Sequence, residues 1–417
     1  MNLRRVLRPP WRRWLRDLRA WLRPGLRIKR WLALIFLGVF LMAVGFAMAV
    51  LHIYRTTPEA SWWTSFLAQA ALQFLPRWMR VLIFSGLGLV VLLLGLWGLH
   101  RSLLAPFVRA GQPVVDTLAA FRRRERGPHV AVLGGGTGQS TLLRGLKHHT
   151  HNITAIVSVA DDGGSSGRLR RAMGILPPGD IRNCLAALSD DEDLLTQLFQ
   201  YRFPKDNGEL GGHSFGNLFL TAMIGLTGSF EQAVVEAGRV LSIHGRVVPA
   251  TLKQVELVAA VRLPFDATTA IVRGESHIPH AKGQIRRVWL EPEDPPAFPP
   301  AIQAILSADM VVVGPGSLYT SILPNLLVRE IREALRAARG LRVFVVNVAT
   351  QPGETDGFSA QDHLAVIQEH AGRDLFDVVL LNNRFEGTLP EGVTWVREAP
   401  DRPIPYPVYR ADLVDET

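Results

Sequence analysis

The chain has 417 residues, enough for a membrane segment together with one large domain or two small ones. Its formal charge of +9 is concentrated in residues 1–30, which hold eleven Lys and Arg against one acid, Asp17, so the remainder is close to neutral. This distribution excludes the nucleic-acid binding that a positive net charge would otherwise indicate. The one cysteine, Cys184, excludes an intrachain disulfide.

Residues 1–30 carry bulky apolar side chains at helical spacing, with arginines between them. An amphipathic helix lying on an anionic lipid surface has this pattern, so we expect anionic membrane lipids as a partner of this tail. The alternative is a disordered basic flank that only fixes the orientation of the membrane segment. The apolar positions are Trp11, Trp14, Leu15, Leu18, Trp21 and Leu22.

Residues 31–100 contain two uncharged apolar runs, at 31–51 and 81–99. A spanning helix needs about 20 apolar residues, so the two runs predict an α-helical transmembrane hairpin. The first run is longer than the apolar core of a signal peptide, and no small-residue cleavage site follows it. Basic residues flank the outer ends of the hairpin, which predicts a two-span protein of the cell membrane with both termini and the following domain in the cytoplasm.

Residues 101–127 are interpreted as a linker, and residues 128–417 as one domain. In this domain short apolar, β-branched runs alternate with helical patterns, which predicts an α/β fold with a mostly parallel sheet covered on both faces. Residues 254–262 and 285–290 are interpreted as an added antiparallel portion, and residues 291–300 as an exposed turn. The predicted strands are residues 129–133, 153–160, 310–313, 343–348 and 378–381, and the predicted helices are 141–148, 181–188, 194–201, 215–226, 231–243, 326–338 and 361–370.

Polar or glycine-rich segments follow all five predicted strands, at residues 134–138, 161–167, 314–317, 350–353 and 382–383. Ligands of open parallel sheets bind beyond the carboxyl ends of the strands. We therefore expect one polar crevice at this edge, with Asn382 behind the last strand as one of its groups.

The first of these segments is the glycine turn Gly134, Gly135, Gly136, Thr137 and Gly138, whose backbone N–H groups suit a phosphate at the start of a helix. No Lys-Ser/Thr pair follows, so it is not a Walker A loop. Gln139 stands where a dinucleotide fingerprint has its third glycine, which disfavours a nicotinamide-dependent oxidoreductase. Gly314, Gly316, Ser317 and Tyr319 form a second phosphate-type loop, with Ser317 and Tyr319 as hydrogen-bond donors. The two loops together indicate a diphosphate or a nucleotide-sugar.

Asp161 and Asp162 end the second predicted strand, and three interpretations of the pair remain open. An acid there can hold a ribose hydroxyl, the pair can hold Mg²⁺ against phosphate oxygens, or the two can cap a helix and form a turn. The next residues, Ser165, Ser166 and Arg168, suit an anion.

Four further residues have a site interpretation beside a structural one. Asp180 and Asn183 are candidate polar site groups, although Asp180 also suits helix capping. His213 and Asn217 fit site and capping roles equally well. The sequence has neither a nucleophile elbow of a serine hydrolase nor a His/Cys cluster with zinc spacing.

Six motifs in order, over about 290 residues, resemble the CofD-like superfamily, and within it the YvcK-like gluconeogenesis factors. The resemblance implies a Rossmann-like three-layer fold. The motifs are GGGTGQS at residues 134–140, ADDGGSSGRL at 160–169, LPPGDIRN at 176–183, HSFGNL at 213–218, GPGSLYTS at 314–321 and QPGET at 351–355. The membrane hairpin is a departure from the common YvcK-like protein, which is soluble.

The family resemblance also implies a function. YvcK-like proteins maintain cell shape on gluconeogenic carbon sources and bind UDP-sugars such as UDP-N-acetylglucosamine. On that basis we expect a membrane-tethered UDP-sugar sensor whose ligand occupancy is detected by envelope-synthesis proteins. A homo-oligomer is compatible with the sequence. The alternative is a Mg²⁺-dependent transferase similar to the 2-phospho-L-lactate transferases. The resemblance also implies roles for single residues. Asp161 and Asp162 would hold the metal or the acceptor. The residues that would face the nucleotide phosphates are Gly135, Gly136, Thr137, Gly138, Gly314, Gly316 and Ser317.

Overall fold

The computed structural model describes residues 39–40, 43, 46–48, 76–104, 122–189, 192–206, 208–263, 268–281 and 283–414. The chain divides into two compact units, Met1–Arg122 and Arg123–Thr417. The amphipathic tail, most of the first apolar run and most of the predicted linker lie outside the described residues.

In the first unit, the helix α1 (Arg77–Leu104) covers the second apolar run. Among the residues that the structure describes, no single helix is both long and apolar enough to cross a membrane. Two helices of the second unit, Phe215–Thr227 and Phe230–Val240, pass that test only as a pair bent by 118°. The transmembrane hairpin remains a prediction.

The second unit is built on two sheets. A seven-stranded sheet has the order β10-β9-β8-β7-β1-β2-β3, and a three-stranded sheet has the order β5-β4-β6. In chain order the strands are β1 (Val130–Gly134), β2 (Ile153–Val157), β3 (Arg246–Pro249), β4 (Glu256–Arg262), β5 (Thr269–Arg273), β6 (Gln284–Glu291), β7 (Met310–Val313), β8 (Leu341–Val345), β9 (Val378–Asn382) and β10 (Val408–Ala411).

Every strand pair of the large sheet is parallel. From β1 the chain builds outward through β2 to β3, and it then returns to the other side of β1 and builds outward from β7 to β10. This is the doubly wound arrangement of the Rossmann-like folds, in which the strand order reverses at one place. Here the switch point lies between β1 and β7.

The helices of this unit cover both faces of the large sheet. Val311 and Val313 belong to one buried cluster, whereas Val312 between them belongs to the other, as expected for side chains that alternate across a strand. The predicted three-layer α/β fold is therefore confirmed. The helices are α2 (Gly136–Leu146), α3 (Gly164–Met173), α4 (Gly179–Leu188), α5 (Glu192–Gln200), α6 (Phe215–Thr227), α7 (Phe230–Val240), α8 (Pro299–Ser307), α9 (Leu323–Leu327), α10 (Arg329–Ala337) and α11 (Ala360–Ala371).

The antiparallel portion is present, since β4 pairs with both β5 and β6. The sequence missed β5 because its side chains are mostly half-exposed or exposed. The predicted exposed turn at residues 291–300 is partly wrong: Ala297 and Phe298 are buried at its end, where α8 begins. The predicted helix 326–338 is interrupted at Val328, whose backbone is extended.

Candidate functional site

The switch point brings the two glycine loops into backbone contact. A Cβ on Gly138 would lie 2.7 Å from the carbonyl oxygen of Pro315 and 2.9 Å from the nitrogen of Gly316. The turn into α2 also needs Gly136, whose φ of +63° disfavours any residue with a side chain. The two phosphate-type loops, predicted from separate strands, therefore form one continuous surface of backbone.

Two asparagines that the sequence analysis did not single out hold these loops. The side chain of Asn347 accepts from Gly316 N (3.1 Å) and donates to Gly316 O (2.8 Å). Asn325, fully buried, donates to Gly134 O and to Ser321 O at 2.8 Å each. Both loops are thus fixed by side chains before any ligand arrives. Asn347 lies two residues beyond the end of β8, within the segment 343–348 that the sequence predicted as strand, so its position gave no signal.

Gln139 explains why the third fingerprint glycine is absent. Its buried amide donates to Val132 O (2.9 Å) and Ile156 O (3.0 Å), and it accepts from the Cys184 thiol at 3.5 Å. The side chain therefore joins β1, β2 and α4 beneath the glycine turn, where a dinucleotide fold uses a glycine for close helix packing.

Asp161 and Asp180 meet beneath the glycine turn, together with Glu275 from the antiparallel sheet. Burial, and next the charge of Asp161, raises the pKa of Asp180 to about 6, while the N–H of Gly136 and the charge of Arg182 oppose the shift. Burial also raises the pKa of Asp161 and of Glu275; the charge of Asp161 raises that of Glu275 further, whereas a hydrogen bond with Glu275 partly offsets the shift of Asp161. Glu275 follows β5, a strand that the sequence analysis did not predict.

Asp162 also contacts the segment that contains Glu275. Its Oδ1 accepts from Ser276 N at 2.9 Å, so it links the end of β2 to the segment that follows β5. Asp161 accepts from Gly163 N at 2.8 Å, the turn contact that the sequence allowed for. Both aspartates therefore contact the segment that follows β5, Asp161 through Glu275 and Asp162 through Ser276.

Glu354 occupies the second glycine loop. The Ser317 hydroxyl donates to Glu354 Oε2 at 2.5 Å, the Thr320 hydroxyl to Oε1 at 3.2 Å, and the backbone of Tyr319 to Oε2 at 3.4 Å. Burial raises the pKa of Glu354, which these hydrogen bonds partly offset. The residue lies in the predicted motif at residues 351–355, but the sequence analysis assigned it no role.

The Tyr319 side chain lies in the core rather than at the loop surface. Its ring makes edge contacts with Phe358 and His370, at centroid distances of 6.5 and 6.3 Å. Burial raises the pKa of its phenol. The predicted donor at this position is thus the backbone N–H, which Glu354 accepts.

Ser165, Ser166, His213 and Asn217 form one buried network. Ser165 Oγ lies 3.0 Å from His213 Nδ1 and 3.1 Å from Asn217 Nδ2, and the same amide nitrogen donates to Ser166 Oγ at 3.3 Å. Burial lowers the pKa of His213, as does the charge of Arg168. The network ties the start of α3 to the start of α6, where Ser214 is the capping residue.

The remaining predicted site residues have protein partners. Arg168 donates to Gly211 O at 2.9 Å, and Asn183 accepts from Arg182 at 2.9 Å. Asn382 accepts from the backbone of Arg384 and Leu413 at 3.2 Å each. Asp180 does not cap α4, whose N-cap is Pro178 with no side-chain bond, and instead accepts from Gly136 N–H.

Whether the site can hold a cation depends on the arrangement of its acidic side chains. Within the described part of the chain, no three His, Cys, Asp or Glu side chains are arranged to hold one metal ion. Mg²⁺ bound to a diphosphate takes one or two carboxylates and fills its other positions with water and phosphate oxygens. Asp161 and Asp162, adjacent carboxylates that follow β2, meet that smaller requirement in number and in ligand type.

Comparison with known proteins identifies the family of this chain. The family model described as 2-phospho-L-lactate transferase CofD matches residues 130–394. A gluconeogenesis-factor relative from Nostoc sp. is 49% identical over 375 residues, covering 87% of this chain and 78% of the relative. The gluconeogenesis factor of Bacillus subtilis is 52% identical over 256 residues, covering 61% of this chain and 79% of that protein.

A solved structure supports the same assignment. The crystal structure of a UPF0052 family member from Bacillus halodurans superposes with a TM-score of 0.64 at 45% identity, covering 70% of this chain and 94% of that one. The sequence matches and the superposed fold agree with each other. The chain belongs to the CofD family, in its YvcK-like gluconeogenesis-factor branch.

Proposed function

We propose that this protein is a membrane-tethered sensor that binds a nucleotide-sugar of the UDP-sugar class and regulates cell morphogenesis and envelope synthesis during gluconeogenic growth. One observation carries the proposal: the backbone contact between the glycine loops at residues 134–138 and 314–317. A diphosphate has two anionic groups, and the two loops bring bare glycine backbone from two adjacent strands together.

The chemistry of the loops favours a diphosphate ligand. The N-terminus of α2 presents its positive end to the crevice, and bare glycine backbone allows close approach of phosphate oxygens. Gly135 faces Asp180, and a Cβ there would lie 2.7 Å from that carboxyl. The site residues proposed to face the ligand are Gly134 to Gly138, Gly314, Gly316 and Ser317, with the network of Ser165, Ser166, His213 and Asn217 supporting the wall of the crevice.

The membrane tether is proposed from the sequence. The apolar runs at residues 31–51 and 81–99 and the eleven cations ahead of them support a cytoplasmic domain held at an anionic leaflet. This position would keep the sensor beside lipid-linked envelope precursors and the proteins that process them.

The test is calorimetric titration of the purified full chain in detergent with UDP-N-acetylglucosamine, UDP-glucose, GDP and NAD. We expect heat for the UDP-sugars and none for NAD. Absence of binding to every UDP-sugar would contradict the sensor, and preference for NAD would restore the oxidoreductase hypothesis.

A second function is favoured by the carboxylates Asp161, Asp162 and Glu275 and by the description of the matching family model. In this alternative the protein is a Mg²⁺-dependent transferase that uses a nucleoside diphosphate donor. Asp161 and Asp162 would hold the cation, which would neutralise the charge of the phosphates. The chain's own contribution would be to orient the donor on the two glycine loops.

Turnover separates the two functions. Release of the nucleotide from a panel of donors with Mg²⁺, abolished in Asp161→Asn, would establish the transferase. Binding of UDP-sugars without turnover of any donor in the panel would support the sensor function over the transferase.

A further inference from the structure

A cavity of about 340 Å³ lies between α2, α4 and the end of α5. Three arginines and two hydroxyl residues contribute to its wall, and among the described residues no acidic side chain does. We call it the arginine cavity and define it by Thr137, Ser140, Arg144, Arg182 and Arg202.

The fold places these cations together from three different elements. Thr137, Ser140 and Arg144 are three and four residues apart, so they lie on one face of α2. Arg182 comes from the first turns of α4, which packs against α2, and Arg202 follows the end of α5. Cations that the sequence spreads over 58 positions, from Arg144 to Arg202, thus face one space.

Arg182 has donor capacity that the protein does not use. Its Nη1 donates to Ser214 Oγ at 2.6 Å and its Nη2 to Asn183 Oδ1 at 2.9 Å. Its Nε is buried and has no hydrogen-bond partner among the described residues. A buried donor without a partner is costly, and a guanidinium offers five donors in a planar fork. Because Nε has almost no accessible surface, the N–H groups left for an acceptor in the cavity are the second ones on Nη1 and Nη2.

Arg202 increases the positive charge beside Arg182. Burial lowers the pKa of Arg182, and the charge of Arg202 lowers it further, against the opposing charges of Asp180 and Asp161. Arg202 itself is exposed and donates to Gly212 O at 3.1 Å. Two like charges held close together are stabilised by an anion between them, and arginine forks match the oxygens of a phosphate.

We propose that the arginine cavity is a binding site for a phosphoryl group. Thr137 belongs both to this cavity and to the glycine turn, so the site adjoins the proposed nucleotide site, although it does not depend on that function. The phosphoryl group has two possible sources: a phosphate of the ligand that occupies the glycine loops, or a separate small phosphorylated metabolite.

The experiment is calorimetric titration of the full chain in detergent with inorganic phosphate. Arg202→Gln removes an exposed cation of the cavity, and we expect binding about tenfold weaker, as for the loss of one charge-assisted contact. The phosphate affinity of Arg202→Lys should lie between those of the unaltered chain and of Arg202→Gln, because lysine keeps the charge but lacks the planar guanidinium. The matched control is Arg171→Gln, which removes an exposed arginine of α3 that does not line the cavity.

Three outcomes overturn the proposal: no phosphate binding by the unaltered chain, equal affinity in Arg202→Gln, or an equal loss in Arg171→Gln. Thermal unfolding of each variant identifies any that has failed to fold, and Ser140→Ala then serves as the second variant.

Repeating the titration with saturating UDP-N-acetylglucosamine distinguishes the two sources of the phosphoryl group. Blocked phosphate binding indicates one ligand that reaches both places, and unchanged binding indicates a separate metabolite. Phosphate binding without any UDP-sugar binding contradicts the proposed function alone.

Discussion

Gly138 and Pro315 are in contact across the switch point: a Cβ on Gly138 would lie 2.7 Å from the Pro315 carbonyl oxygen. The neighbouring atoms are backbone, so they cannot move aside as a flexible side chain would. The two glycine loops are therefore in close backbone contact, and this contact defines the proposed ligand surface.

Gly138→Ala is expected to separate the two loops. The forced backbone shift should cost about 1–3 kcal/mol of unfolding free energy and weaken UDP-sugar binding. Gly145→Ala is the matched control, because it lies in the same helix and its added Cβ meets nothing within 4 Å. Urea unfolding and calorimetry measure both quantities, and equal effects of the two alanines would contradict the contact.

Gln139→Leu should destabilise the protein by about 2–4 kcal/mol, because it leaves two buried carbonyls without their donor. Gln303→Leu, at an exposed position of α8, is the control and should change the unfolding free energy by less than about 0.5 kcal/mol. Urea denaturation measures the difference. A Gln139→Leu protein as stable as the control would show that the amide bridge contributes little.

Asp180 makes stability depend on pH. Burial and the charge of Asp161 raise its pKa from 3.8 to about 6 in the folded protein. Because the folded protein holds this proton more tightly than the unfolded chain, the protonated carboxyl favours folding. Its contribution to the unfolding free energy is fully present below pH 3.8 and is lost as the pH rises through 6.

Asp180→Asn cannot ionise but keeps an acceptor for the Gly136 N–H. It should therefore exceed the unaltered protein in stability by up to about 3 kcal/mol at about pH 8, with the difference shrinking towards about pH 4. Urea unfolding over that range is the measurement. A difference that is constant with pH would mean that Asp180 has an ordinary pKa.

The membrane hairpin predicts a definite topology. Alkaline phosphatase inserted in the loop between the two runs, near residue 60, should be active, whereas the enzyme fused after residue 417 should be inactive. Deletion of residues 1–100 should release the protein from the membrane fraction. A soluble full-length protein, or activity at both fusion points, would rule out the hairpin.

The sequence by itself determined the α/β class, the family and the positions of the two glycine loops. These properties reside in local patterns: apolar runs that alternate with helices, and short motifs at strand ends such as residues 134–138. The antiparallel portion that contains β4 and β6 was also predicted from the sequence.

Only the tertiary structure decided which side chains share a site. Glu275 reaches Asp161 from an inserted sheet, Glu354 binds Ser317 across 37 residues, and Arg144, Arg182 and Arg202 meet around one cavity. The ring of Tyr319, predicted as a donor, is instead packed in the core. Contacts of this kind depend on strand order and on the packing of distant helices, and no local pattern in the chain encodes them.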